Sequence, residues 1–389
     1  MEKILILSPG PFSKRDYDRF GIDYLKKFFS VKVIDLTAWL YPNFWKEISN
    51  KILKFEDCEI ISNKNDFLKF NTDNDPIIVL DFLAKNTKTN WVRNQLKKRK
   101  CLFIGFDINL IPQDSFNILK SFKKHNFKKL PIKIISILIN FFLQKYYNFN
   151  KKYLPQILVV GGLSSSRKFK VKRKIYAHCM DYDIYLKIKN KTKENHNYDR
   201  PYAVFLDEDM CNHPDYISEN INSPVSENKY YPILINFFKK FELLTGLKIK
   251  FAVHPKSRTR NLDKLLKNFD CSVGNTPELI KNSKAVILHA STSVSYAILF
   301  KKPAIFLTSN ELKNSWIGPR INNFVRNTNG KLINISNNFD NELSAQDLFT
   351  VDKIQYQKYL ERYLKIPNSP EIPLWEIFTK DIKNTFREN

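Results

Sequence analysis

A two-part α/β fold, each half a Rossmann-like parallel sheet covered by helices, is what this 389-residue sequence predicts. Three observations carry that expectation. Short apolar runs rich in β-branched residues recur with helix-length spacers between them. Continuous apolar strands of this kind belong to sheets buried on both faces. The runs also fall into two sets: Ile4–Leu7, Val31–Ile34, Ile77–Leu80, Leu102–Gly105 and Ile157–Val160, then Ala203–Leu206, Ile249–Val253, Ala285–Leu288 and Ala304–Leu307. Finally, the polar stretch Lys187–Arg200 between the sets lacks apolar periodicity, as a junction would. The length suits two domains.

Helices are expected over Lys14–Phe29, Tyr231–Leu244, Leu262–Asn268 and Ser293–Phe300. The tail reads as two amphipathic helices, Tyr356–Leu364 and Leu374–Phe386, separated by IPNSPEIP. The second is placed to cross back to the first domain. The expected division is therefore residues 1–195, 196–350 and 351–389, with a basic, partly apolar insertion over about 115–180 in the first part.

Composition narrows the function. Nine glycines in 389 residues is far below the usual share of about 7%. No GxGxxG and no Walker A loop occurs, which weighs against dinucleotide and P-loop chemistry. The five cysteines, Cys58, Cys101, Cys179, Cys211 and Cys271, form no CxxC pair. Neither HxxxH nor HExxH is present either, so no metal site is expected. The odd count suits free thiols in a reducing compartment. The N-terminal apolar run is too short for a signal peptide, and Ile134–Leu143 falls short of the roughly 20 residues that span a bilayer. A cytoplasmic location follows as the expectation.

The net charge is +25, which favours anionic partners. An AT-rich codon bias would also raise lysine, but it would spread the charge evenly. Residues 115–180 instead hold fifteen Lys and Arg and no Asp or Glu, so they carry +15 of the +25. Within them LPIKIISILINFFLQKYY is apolar with lysine flanks. Such a segment suits adsorption to an anionic membrane surface. The competing reading is a buried helix with solvated lysines. Nucleic acid is not expected, because no RRM, KH, helix-turn-helix or zinc pattern is present. A basic nucleic-acid-binding protein without enzymatic activity is the alternative from another class.

The candidate site lies between Asp207 and Ser309. In open α/β sheets ligands bind at the carboxyl ends of strands. His254-Pro255 follows one buried run directly, with Lys256 and Arg258 just beyond. Ser291, Thr292 and Ser293 follow another, at a strand-to-helix turn where hydroxyls and free N–H groups suit a phosphate. A third run ends in Asp207-Glu208-Asp209, carboxylates able to serve as base, nucleophile or ligand. Asp183, in MDYD, is a further candidate, and the plain alternatives are a solvated acidic turn and ordinary helix caps. Near the N-terminus Lys14, Arg15 and Arg19 lie on the first helical turns, where they would meet an anionic substrate or simply water.

Taken together PFSKRDYDRFG, FLDED, HPKS and HASTSVSYAILFKKPAIFL resemble bacterial glycosyltransferases of GT-B architecture that use CMP-activated sugars. The pattern is most similar to retaining β-Kdo transferases of lipopolysaccharide and capsule biosynthesis. HP and Ser/Thr elements also occur in transferases using CDP-glycerol. The resemblance implies a two-domain enzyme with its chemistry in a cleft. His254, Ser291, Thr292 and Ser293 would hold the CMP phosphate, and Lys256 or Arg258 the sugar carboxylate. Lys14, Arg15 and Arg19 would lie on the acceptor side. A carboxylate nucleophile is implied, Asp207 first, with Asp209 and Asp183 as alternatives. An inverting, sialyltransferase-like enzyme with Asp207 or Asp209 as base stays open. No cofactor is implied, because the CMP-sugar is itself a substrate. The acceptor would be a glycan, lipid-linked, at the inner face of the cytoplasmic membrane.

Overall fold

The computed structural model describes residues 2–8, 10–51, 54–70, 77–99, 101–112, 142, 146, 154–166, 171–191, 200–213, 215–216, 221–254, 269–337 and 345–387. It divides into two compact units. One holds Met1–Leu110, the described residues between 129 and 180, and Lys365–Asn389; the other holds the described residues Ile111 and Pro112 and Asp181–Leu364. The chain enters the main stretch of the second unit at Met180–Asp181, at the head of a helix running Met180–Ile188, and not near residue 195.

The first unit is built on a parallel sheet of strands β1 (Lys3–Ser8), β2 (Ser30–Asp35), β3 (Cys58–Ile60), β4 (Ile77–Asp81), β5 (Cys101–Asp107), β6 (Ile157–Val160) and β7 (Arg173–Tyr176). Their spatial order is β3-β2-β1-β4-β5-β6-β7. Residues such as Ile6, Val79, Ile104 and Val159 are fully buried, as strands covered on both faces require. The expected helix Lys14–Phe29 is broken in two, Lys14–Arg19 and Ile22–Leu25. Gly21 causes the break. It adopts φ +59, and a Cβ there would stand 2.3 Å from the Trp375 ring. Only glycine accepts both that backbone and that approach.

Trp375 belongs to the helix Leu374–Arg387, which returns to this unit at the end of the chain. Leu374, Trp375, Phe378 and Ile382 complete the core formed by Ile4, Ile6, Phe20, Ile22 and Leu25. The Trp375 indole donates to the Arg19 carbonyl at 2.8 Å, and Arg173 meets Asp381 at 2.5 Å. Burial of the aromatic residues alone makes this helix integral, since truncating a core Phe or Trp costs about 3–5 kcal/mol.

The second unit repeats the plan with β8 (Tyr202–Leu206), β9 (Lys248–Val253), β10 (Asp270–Val273), β11 (Ala285–Leu288), β12 (Ala304–Thr308) and β13 (Lys331–Asn334). All are parallel, in the order β10-β9-β8-β11-β12-β13. Phe205, Phe238 and Phe251 pack edge to face with centroids 5.0–5.3 Å apart and form the centre of its core. The chain steps outward in both directions from β8 and β11. The gap between these two strands is therefore the switch point of the sheet, where a ligand crevice forms at the carboxyl edge.

Candidate functional site

Three strand ends meet at that edge, and two successive carboxylates tie them together. β8 runs out into Asp207, Glu208 and Asp209. Asp207 accepts from the Asp209 peptide N–H at 3.1 Å, and the backbone of His254, beyond β9, also donates to it. Glu208 reaches the other way. Its carboxylate accepts from the peptide N–H groups of His289 at 2.9 Å and Ala290 at 2.8 Å, just beyond β11. Asp209 is buried with φ +47, a left-handed conformation that Asp tolerates better than most residues. That turn points its N–H back at Asp207.

Neither acid at the head of this turn sits in an ordinary environment. Burial pushes Asp207 up to about 6, against the downward pull of those backbone donors. Its Oδ2 is shut off from solvent and has no hydrogen-bond partner among the described residues. Burial pushes Glu208 up to about 7, opposed by the Ala290 N–H and by the Arg320 charge. Arg320 lies in the first turn of the helix Gly318–Thr328, and its Nε is likewise buried without a partner among the described residues. It is a cation at this edge that the sequence did not single out.

His289 is spent on structure. Its Nδ1–H donates to the Leu307 carbonyl at 2.8 Å, and its Nε2 accepts from the Tyr230 hydroxyl at 2.6 Å. Full burial lowers it to about 4, so it is a neutral ring. Ser291, Thr292 and Ser293 follow at the rim. Ser291 Oγ accepts from the Ser293 N–H at 3.3 Å, and Ser293 makes no side-chain cap to the six-residue helix Val294–Leu299. The two backbone donors just before them, those of His289 and Ala290, are held by Glu208.

His254 is half-buried at the end of β9, and the His213 ring lies against it with centroids 4.6 Å apart. Sequence reasoning passed over His213, although NHPDY repeats the His-Pro step of VHPK. Lys256 and Arg258 lie outside the described residues. Asp183 stands on the helix Met180–Ile188, where its neighbour Asp181 accepts from Ser295 Oγ at 2.6 Å and the Tyr296 hydroxyl at 3.2 Å. In the first unit, Lys14 pairs with Asp18 at 2.8 Å and lies over the Tyr17 ring. Arg15 is exposed and Arg19 half-buried on the same short helix. Among the described residues no cluster of three or more His, Cys, Asp or Glu is arranged to hold a metal.

Neither the protein-family models nor the curated proteins contain a match to this chain. Solved structures do match. The wall teichoic acid polymerase TagF aligns over 99% of this chain and 89% of its own, at 13% identity and a TM-score of 0.55. A putative UDP-N-acetylglucosamine 2-epimerase from Listeria monocytogenes aligns over 100% and 97%, at 12% identity and 0.52. The fold is GT-B-like. At such identities the likeness is one of fold, and a GT-B-like chain is assigned its chemistry by its own residues.

Proposed function

We propose that this protein is a transferase that takes a nucleotide-activated donor at the carboxyl edge of the second sheet. The observation that carries the reading is the gathering of Asp207, Glu208, Arg320, His213 and His254 around one switch point, with Asp207 raised to about 6 by burial. Such a carboxylate is ionised at neutral pH yet more basic than an ordinary aspartate. The donor we propose is a CMP-activated ulosonic acid of the Kdo type, and the acceptor a glycan of a bacterial surface polysaccharide. In the retaining route an Asp207 oxygen forms a bond to the anomeric carbon as the bond to the CMP oxygen breaks. The acceptor hydroxyl then displaces Asp207, which leaves as a carboxylate, and the hydroxyl proton passes to the phosphate of the departing CMP. A second reading, glycerophosphate transfer from CDP-glycerol, is favoured by the match to a teichoic acid polymerase.

A melting panel of CMP, UMP, UDP and CDP-glycerol separates these readings. A ligand at 100 times its Kd adds about 2.7 kcal/mol, so the preferred nucleotide stands out. Intact mass after incubation with the CMP-sugar alone should show one sugar on the wild type and none on Asp207→Asn. An inverted product, or an adduct on Asp183 or Asp209, removes Asp207 from the role. No shift with any of the four ligands removes the reading itself.

We further propose that the acceptor is lipid-linked and that residues 115–180 hold the enzyme to an anionic membrane surface. Their +15 charge supports this, together with Phe142 and Tyr146, exposed and four residues apart in helical conformation. No helix among the described residues is long and apolar enough to cross a membrane. Co-sedimentation with anionic but not neutral vesicles, lost at high salt, is the expected result. Unchanged binding after Lys123, Lys124, Lys128 and Lys129 are all replaced by Gln ends the proposal.

A further inference from the structure

Arg320 stands in the first turn of the helix Gly318–Thr328, the helix that precedes β13. Its guanidinium lies over the Phe324 ring, one turn along the same helix and 5.9 Å from the centroid. Stacking of this kind uses the flat face of the group. The five N–H donors lie in its plane and stay uncommitted. Among the described residues none of them has a hydrogen-bond or ion-pair partner, and Nε is shut off from solvent. An arginine with a structural role looks different in this fold. Arg93 commits all three nitrogens, to Asp81, Leu83, Ala84, Thr89 and Asn90. The charges around Arg320 do not close on it either. Glu208 feels its charge, but that carboxylate is held by the His289 and Ala290 N–H groups. The Tyr216 hydroxyl feels the same cation. Trp316, just ahead of the helix, packs edge-on against Tyr216 and donates to the Asn222 carbonyl at 2.9 Å. The guanidinium is thus placed by its own helix beside an anchored aromatic pair, with its donors unmatched.

A charged donor kept from water without an acceptor is costly, and such a group calls for a partner. We infer that Arg320 holds an oxyanion of the donor, its phosphate or its sugar carboxylate, in the fork of the guanidinium. This rests on the CMP-sugar reading above and adds to it the residue that recognises the anion. Either group presents two oxygens to two parallel N–H bonds, so the fork matches both. Position agrees with the role. Glu208 spans from the end of β8 to the loop beyond β11, across the switch point, and Arg320 is close enough to act on its charge. Glu208 does little to oppose an incoming anion. Its oxygens are taken up by peptide donors, and burial leaves it about half protonated at neutral pH.

Calorimetric titration with cytidine, CMP and CMP-Kdo tests the assignment. All titrations use Asp207→Asn as the parent, which cannot form the sugar adduct. Arg320→Gln removes the charge and the fork. If the phosphate is the anion, this variant should bind CMP about ten-fold or more weakly than the parent, the scale of a hydrogen bond to a charged group, with cytidine unchanged. If the carboxylate is the anion, CMP should bind as in the parent and CMP-Kdo about ten-fold or more weakly. Arg320→Lys keeps the charge without the fork and should fall between the two. It also serves as the readout if the Gln variant melts early. A residue that acted only by supporting Glu208 would lose its effect once Glu208 is neutral. The loss should therefore persist when Arg320→Gln is added to Glu208→Gln, and its disappearance there overturns direct contact. Equal affinity of the parent and both Arg320 variants for CMP and for CMP-Kdo overturns the assignment and leaves the CMP-sugar reading intact. An equal loss for cytidine overturns it as well, because cytidine carries neither anion. A parent that binds neither CMP nor CMP-Kdo removes the CMP-sugar reading, and the assignment with it.

Discussion

Both units end central strands in carboxylates, yet they use them differently. In the first unit Asp35, at the end of β2, accepts from the Phe12 N–H at 2.9 Å and the Thr37 N–H at 2.8 Å, and also from the Thr37 hydroxyl. Asp81, at the end of β4, meets Arg93 side on, with Nε at 2.6 Å and Nη2 at 3.1 Å. Arg93 is nearly fully buried and spends its remaining donors on Leu83, Ala84, Asn90 and Thr89. These acids complete a loop and a helix. Burial raises Asp35 as well, but only partly, against the Phe12 and Thr37 donors. In the second unit Asp207 and Glu208, with backbone donors and no paired cation at bonding distance among the described residues, are pushed to about 6 and about 7. The sharpest contrast is therefore with Asp81, whose charge Arg93 meets directly. An acid at a strand end therefore says little about function by itself. The informative quantity is how much of its charge the surrounding fold has already neutralised.

The largest effect that tests this contrast is expected in the first unit. Asp81→Asn strands the buried Arg93 charge and should cost about 3–5 kcal/mol in urea unfolding. A loss below about 1 kcal/mol would make Asp81 no more structural than Asp207 and erase the distinction.

The second test is the pH dependence of Asp207→Asn. The folded pKa of about 6 lies above the ordinary 3.8, so the folded state holds its proton more tightly than the unfolded chain. The carboxyl's favourable contribution is complete below about 3.8 and is lost as pH rises through 6. The neutral Asn variant should match wild type near pH 4. By pH 8 it should be the more stable by up to about 3 kcal/mol, at 1.36 kcal/mol per unit. Glu208→Gln should move in the same direction over about pH 4.5 to 7. Its gain should be smaller, because the amide NH2 cannot accept from the His289 and Ala290 N–H groups. Parallel pH–stability curves for wild type and Asp207→Asn would mean that the fold neutralises Asp207 as fully as it does Asp81.

The strands were legible wherever burial is complete. The nine expected runs are the nine interior strands of the two sheets among the described residues. Among the described residues, the four strands that pattern reading passed over, β3, β7, β10 and β13, are the four sheet edges. Cys58–Ile60 and Asp270–Val273 are largely exposed and too polar to read as apolar runs, as edges that must resist pairing tend to be. The site was legible to the same depth. Asp207 and His254 stand directly after buried strands, so the strand-end rule finds them. His213 lies seven residues beyond the end of β8, and only the folded turn brings it to His254. Glu208 was seen as one of three acids. Its role as a tie to the β11 loop depends on sheet order, which local sequence does not encode. The break at Gly21 was missed because its cause, Trp375, is distant in sequence.

That same tryptophan sets an order on synthesis. The second unit extends no further than Leu364, so it has all of its residues once Leu364 has left the ribosome. The first unit, begun earlier, must wait. Leu374, Trp375, Phe378 and Ile382 fill its core, and among the described residues it is the Trp375 ring that lies in the slot beside Gly21. Domains commonly fold from the N-terminus forward during translation. Here the unit made first is the unit finished last, and a released chain truncated before residue 374 would leave its β1 and Phe20 apolar surface uncovered beside a second unit that has all of its residues.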